Sequence, residues 1–460
     1  MKKITKLTMC LLLAISTAIF AEEEKAPEQI LFTNVNIFDG KNNKLSKGMN
    51  VLVESNLIKT ISKGARATNP EAIVIDGGGR TLLPGFIDNH VHLQLPGPTL
   101  PAMEANSTWE DIAIHGVAMS EMYLMEGFTT VRDAGGANAG LQRAINAGTI
   151  RGPRLYPSGA FIGGRGGHAD FANFTAPLGQ ESHFSRLNMA RDADGVDDVL
   201  KIARNNFRMG ASQLKVMQSG GVVSAFDPWQ MEGRTIDEIE AAVEIANQYG
   251  SYAMAHSYKK ESILRALNAG VKSIEHGFMY DCEIGKLMKK KGAYITTNLT
   301  AFAPGLMDIP AVRDVPASLR KAKSATKAFT GYVDNMKKCP AKRGHHTDCV
   351  GDVSSCQKQI AHEKYLGGEF FGNHTTLVAL TSIGGEIAAM TGEFTNPYPE
   401  GKLGVIEEGA YADILVVDGN PLKDITAIGG NEKWFDAPAR DGIKTMRIIM
   451  KDGKIYKNTL

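Results

Sequence analysis

The chemistry of this chain begins at Pro84-Gly-Phe-Ile-Asp-Asn-His90-Val-His92, where an apolar approach ends in two histidines two residues apart. Residues i and i+2 of an extended strand share a face. Both imidazoles can therefore reach one metal ion at about 2.0–2.1 Å. Two ligands do not complete a site, and the rest of the chain offers partners. Lys215 interrupts the apolar run Leu214–Met217, His256 closes Ser251–His256, and His276 closes Ser273–His276. His346-Thr347-Asp348 follows, with Asp352 as the competing carboxylate. Imidazole and carboxylate are donors that zinc and similar ions accept. A single histidine at a strand end is usually a hydrogen-bonded core residue. Histidines at three separate strand ends, with a lysine and an aspartate in the same series, point to a metal centre.

The elements that must position these residues fall into two textures. Short alternating segments at Ile30–Phe38, Asn50–Glu54, Leu57–Ser62 and Ala72–Asp76 are separated by Asp39-Gly40 and Gly77-Gly78-Gly79, a β pattern. The same texture returns at 412–418 and 445–454. Two β-rich ends predict one small β-sandwich domain assembled from residues 22–80 and 396–460. Between them, residues 81–395 alternate strand-like and helix-like stretches, such as Phe128–Arg132 then Ala137–Ala147, or Thr235–Tyr249 then Ser251–His256. That rhythm predicts a parallel (β/α)8 TIM barrel, in which chemistry sits where strands end and loops begin. No Gly-x-Gly-x-x-Gly opens an early helix, which argues against a dinucleotide-binding fold.

The 460 residues are 43% hydrophobic and 22% charged, an ordinary globular composition large enough for several domains or one barrel. A net charge of +1 gives no reason to expect a nucleic-acid partner. Met1–Ala21 reads as a secretory signal peptide: Lys2, Lys3 and Lys6 precede an apolar Leu7–Phe20, and small residues end it. Its removal takes the charge to +1 − 3 = −2. No later run is long enough to span a bilayer, so no membrane association is expected after signal removal, and the location is periplasmic or secreted. Among Cys282, Cys339, Cys349 and Cys356, the short loop makes Cys349–Cys356 the expected disulfide, with free buried thiols as the alternative.

These motifs resemble the amidohydrolase superfamily, in its branch with two metal ions and a carboxylated lysine, over nearly the whole mature chain. The resemblance rests on Pro84–His92 together with Gly409-Ala-Tyr-Ala-Asp-Ile-Leu-Val-Val-Asp-Gly-Asn-Pro421. Thr129–Asp133, Gly166-Gly-His168 and Ser212–Gly221 resemble the imidazolonepropionase-like group, which includes periplasmic or secreted Xaa-Pro dipeptidases (prolidases) and carboxypeptidases for basic residues. The resemblance implies that His90, His92 and Asp348 bind the more buried ion and His256 and His276 the second. Lys215, carboxylated by CO₂, would bridge them, and zinc is the expected metal. It implies a metal-bridged hydroxide as nucleophile, with Asp348 as the proton shuttle. It places His168 and Tyr258 at the substrate's C-terminal carboxylate. Arg132 and Asp133 read as structural.

The expected activity is therefore hydrolysis of short peptides, Xaa-Pro dipeptides first, by a homo-oligomer. A carboxypeptidase for C-terminal Arg or Lys, and an N-acyl amino acid amidase or lactonase, are the alternatives on the same centre. A glycosidase with paired carboxylates would leave the histidines unexplained. A mere metal- or peptide-binding protein would need no proton carrier. One departure stands out. Where the family has an apolar strand before its Thr-Asp, this chain has Lys338-Cys-Pro-Ala-Lys-Arg-Gly-His-His346.

Overall fold

Gln29–Ile37 forms a strand (β1) buried on both faces over Gln29–Phe32 and on one face at Val35 and Ile37, paired antiparallel with β2 (Ser46–Glu54), which pairs antiparallel with β3 (Leu57–Ser62). β4 (Ile73–Asp76) and β5 (Thr81–Pro84) run parallel to β1. The structure, a computed structural model, describes residues 27–97 and 99–460. The predicted signal peptide Met1–Ala21 lies outside the described residues.

At Gly85 the chain leaves β5 and enters β6 (Phe86–Val91). A Cβ here would collide with Thr129, so the close passage requires glycine. β6, β7 (Phe128–Asp133) and β8 (Arg154–Tyr156) form a three-stranded parallel sheet. β9 (Phe161–Gly163), β10 (Ala190–Asp192), β11 (Leu214–Met217), β12 (Ala253–Ser257), β13 (Ser273–His276), β14 (Tyr294–Thr296) and β15 (Arg343–Gly344) form a second parallel sheet, in the order β10-β9-β11-β12-β13-β14-β15. Backbone contacts join the two sheets beside β6 and beyond β8. Asn89 N–H donates to His345 C=O at 3.0 Å, and Ser212 N–H to Pro157 C=O at 2.7 Å. β6, β7, β11, β12 and β13 are buried on both faces, as parallel strands covered by helices must be.

The intervening helices begin and end where the sequence puts their caps. Helix Ile236–Gln248 starts with a Thr235/Glu238 capping box and buries Ile239, Ala242, Val243 and Ala246 along one stripe. Helix Cys282–Lys291 carries three lysines in its last turn and ends at Gly292 in the left-handed region. β15 is the weak point of the pattern. It keeps only two residues, which is why no apolar run announced it.

β16 (Ile414–Val417) returns to β5, pairing with it antiparallel, and continues into β17 (Met446–Lys451) and β18 (Lys454–Asn458). Both chain ends thus build one sheet, in the order β18-β17-β16-β5-β1-β2-β3 with β4 on β1. Its ladders join all of these strands, so by hydrogen bonding it is one continuous sheet. Arg154 ties it to the parallel strands: the guanidinium is bonded to Asp413 at 3.3 Å and to Asp452 at 2.6 Å, and lies 3.8 Å over the Tyr411 ring.

Cys349–Cys356 is bonded as expected, and Cys282–Cys339 is bonded as well. Among the described residues no helix is long and apolar enough to cross a membrane. The chain-entropy argument assigns about 4 kcal/mol to a crosslink spanning 57 residues and about 2.5 kcal/mol to one spanning 7. Cys282→Ser/Cys339→Ser should therefore lower the thermal midpoint of the metal-free protein more than Cys349→Ser/Cys356→Ser does. Equal midpoints for the two variants would contradict this.

Candidate metal centre

The tip of β6 is tied to the segment after β15. Asp88 Oδ1 accepts from the N–H groups of His90 (3.0 Å) and Thr347 (3.3 Å), and Oδ2 accepts from the Thr347 hydroxyl at 2.6 Å. Asp348 N–H in turn donates to His90 C=O at 3.0 Å. These bonds bring Asp348 over the histidine pair, with its backbone at φ 53°. His276 is also left-handed, at φ 70°. Strain of this kind on non-glycine residues costs about 1–3 kcal/mol each and persists where surrounding structure enforces it.

The histidine tautomers follow from their partners. Glu275 is wholly buried, and burial works against its charge. Arg132 and Lys215 outweigh that and keep the carboxyl below its ordinary range. Arg132 Nη2 donates to both Glu275 oxygens at 2.9 Å, Ser273 Oγ donates at 2.6 Å and Thr296 Oγ1 at 2.7 Å. A carboxylate only accepts, so the 2.6 Å contact from His90 Nδ1 to Glu275 Oε2 places the hydrogen on Nδ1. His92 Nδ1 lies 3.0 Å from Gly135 C=O, which fixes its hydrogen in the same way. Both Nε2 lone pairs face Asp348 Oδ1, at 3.4 Å from His90 and 3.1 Å from His92. Ligands sharing one cation at about 2.0–2.1 Å stand about 2.9–3.4 Å apart. The three side chains fit a divalent ion.

The remaining ligand candidates converge on the same point. Lys215 Nζ lies 3.4 Å from His90 Nε2, and burial brings its ammonium down to about 8, against the pull of Glu275 and Asp348. That lowering raises the fraction of neutral amine near neutral pH, the form that can add CO₂. His256 Nε2 lies 3.3 Å from Gly220 C=O, leaving Nδ1 as the free lone pair. His276 Nδ1 bonds Asn298 Oδ1 at 3.1 Å, leaving Nε2. Burial holds His90 and His256 well below the usual imidazole range and pushes His276 down to about 3. Metal binding requires neutral imidazole, and these rings are neutral.

His90, His92, His168, Lys215, His256, Tyr258, His276 and Asp348 all line one cavity. The structure therefore brings together every side chain singled out in the sequence for metal or substrate. Asp352 does not compete with Asp348, because it caps helix Val353–Phe371 through Ser355 N–H at 3.0 Å. His168 stacks on His256 with centroids 4.1 Å apart, over Gly221, where a Cβ would strike its ring. Tyr258 packs its ring on His256 at 4.6 Å and on His276 at 5.2 Å. Val222, Phe278, Ile309, Val312 and Phe329 make an apolar wall beyond them. The sequence reading gave no role to Glu275 or His346. Glu275 carried a signal, a charge inside the buried run Ser273–His276. His346 carried only its place beside Asp348.

The amidohydrolase family profile matches residues 81–348, more than half of the chain. The chain belongs to the amidohydrolase family, whose members are hydrolytic enzymes. Among individual relatives, it is 31% identical to the ochratoxinase of Aspergillus niger over 354 residues, which are 73% of this chain and 66% of the fungal protein, just under two thirds. A prolidase solved with N-methylphosphonate-L-proline superposes with a TM-score of 0.82 at 31% identity, covering 94% of this chain and 100% of its own. A Xaa-Pro dipeptidase with methionine bound in its active site superposes at 0.76 and 26% identity, with 94% and 100% coverage.

Partners that orient metal-bound histidines are typically worth about 10–100-fold in metal affinity. Glu275→Gln should weaken zinc binding by about that factor in chelator competition. Wild-type affinity in this variant would remove Glu275 from the role of orienting His90.

Proposed function

We propose that this chain is a two-metal amidohydrolase, periplasmic or secreted, that cleaves the amide bond of Xaa-Pro dipeptides. One observation carries the reading. Six side chains of metal-ligand type, His90, His92, Lys215, His256, His276 and Asp348, converge on a cavity that opens past His168 and Tyr258 onto an apolar wall. We read the parallel strands as a (β/α)8 barrel, supported by the backbone contacts that join their two sheets beside β6 and beyond β8. We read the sheet built from both chain ends as the small β-sandwich domain. The two disulfides favour an oxidising compartment. We assign the working form to a homo-oligomer, and the bridge between the ions to a carboxylated Lys215.

When bound, divalent ions in such a centre (zinc suits these donors) acidify a water molecule and polarise the scissile carbonyl. The protein's own groups do the rest. Asp348 accepts the proton of the attacking water and delivers it to the leaving nitrogen. An Xaa-Pro amide makes that delivery essential, because the proline nitrogen carries no hydrogen and must gain one to depart as an amine. We assign to His168 and Tyr258, which line the cavity, the hydrogen bonds that hold the dipeptide's carboxylate. Val222, Phe278 and Phe329 exclude water and receive the side chain of Xaa.

The same wall weighs against a carboxypeptidase for Arg or Lys. Among the described residues lining the cavity Asp348 is the only acidic one, and we assign it to the metal centre. An N-acyl amino acid with a bulky apolar acyl group is the second reading that the wall favours.

The deciding assay is amino-acid release by metal-loaded protein from Xaa-Pro, Xaa-Arg, Xaa-Lys and N-acyl amino acids. Proline release is expected, fastest with apolar Xaa and abolished by chelation. Hydrolysis of N-acyl amino acids without proline release would shift the function to the second reading, and Arg or Lys release would refute the wall argument. Asp348→Asn should retain metal and lose about 10²–10⁴-fold in kcat. Lys215→Ala should lose metal and activity, with partial rescue by short-chain carboxylates. Full activity without rescue would remove the bridging role.

A further inference from the structure

His346 has no part in the ligand set or the substrate contacts described above. It is wholly buried in the segment after β15, where its neighbour His345 packs instead on Phe128 with centroids 5.6 Å apart. The His346 ring lies flat against His90, with centroids 3.9 Å apart and planes at 19°, and is 5.0 Å from His276. Its two nitrogens have different, fixed roles. Thr296 has a single hydroxyl hydrogen, and Glu275 Oε2 takes it at 2.7 Å. The Thr296 oxygen must then accept from His346 Nδ1, 2.9 Å away. Nδ1 thus carries the hydrogen and Nε2 the lone pair.

That lone pair has no hydrogen-bond partner, although its atom is buried. A buried acceptor without a donor needs an explanation, and an apolar residue would fill the same space without it. His346 Nε2 faces Asp348 Oδ2 at 4.0 Å, too far for a hydrogen bond. The gap leaves room for a cation that both atoms could reach. Ligand atoms of His346, His90, His276 and Asp348 all lie within 4.8 Å of one another. Asp348 is thereby forked, with Oδ1 towards His90 and His92 and Oδ2 towards His346.

We propose that His346 is a further ligand of the metal centre, binding through Nε2 on the Oδ2 side of Asp348. The proposal rests on the metal-centre reading above and adds an imidazole to its donor set. A centre richer in nitrogen favours zinc, cobalt, nickel or copper over manganese and magnesium, which prefer oxygen donors.

The test loads the full-length protein with cobalt(II), whose paramagnetism moves the exchangeable N–H proton of each ligating imidazole far outside the ordinary NMR range. Five such signals are expected in the wild type, from His90, His92, His256, His276 and His346. His346→Gln should give four, with altered visible absorption of the bound cobalt and at least tenfold weaker cobalt affinity. His345→Gln should keep five. Four signals in the wild type, unchanged in His346→Gln, would overturn the proposal and leave the metal centre standing. A wild type that takes up no cobalt would overturn both. The wild-type count is read before any substitution, so a variant that does not fold leaves the proposal decided.

Discussion

A buried ion pair holds the centre together. Arg132 and Glu275 are both withdrawn from water, at 2% and 0% exposure. Removing one partner of such a pair costs about 3–5 kcal/mol, because the other charge is left stranded. Here the pair is also a junction. Arg132 rises from β7 and bonds the Asn89 carbonyl on β6, while Glu275, on β13, bonds His90 on β6 and Thr296 on β14. One salt bridge thus fixes the relative positions of four strands and the tautomer of the first ligand. The histidine-bearing ends can be laid out by sheet geometry alone. Their protonation cannot, and it is this pair that sets it for His90.

The ligand positions are strained as well as buried. Asp348 and His276 both have left-handed backbones, which orient their side chains in a way ordinary extended backbone would not. The hydrogen bonds from Thr347 to Asp88 and from Asp348 N–H to His90 C=O provide the enforcing structure around Asp348. Three desolvated, neutral imidazoles beside an aspartate mark a candidate functional site, and neutral imidazole is the form that binds a cation.

Much of this was legible in the chain. Strand ends at His90, His256 and His276 could be read because strand periodicity and flanking helices such as Val196–Arg208 and Ile236–Gln248 are strongly patterned. Lys215 stood out as a charge inside an apolar strand. The return of both ends to a common sheet was visible in their shared alternation. The last parallel strand was not, because β15 has only two residues and no apolar run of its own. Cys282–Cys339 was not, because a spacing of 57 residues gives no local signal. The tautomers of His90 and His346 were unreadable for a deeper reason. They depend on Glu275 and Thr296, whose proximity exists only after folding.

The pairing of β5 with β16 carries a consequence for how the protein is made. Pro84 lies opposite Ile414 in that ladder, a separation of 414 − 84 = 330 residues. Contacts so distant in sequence raise contact order and must wait for a large loop to close. The edge of β5 is therefore left without its partner until the last part of the chain has been synthesised. Until then that side of β5 is an open strand edge, a template on which another chain can pair.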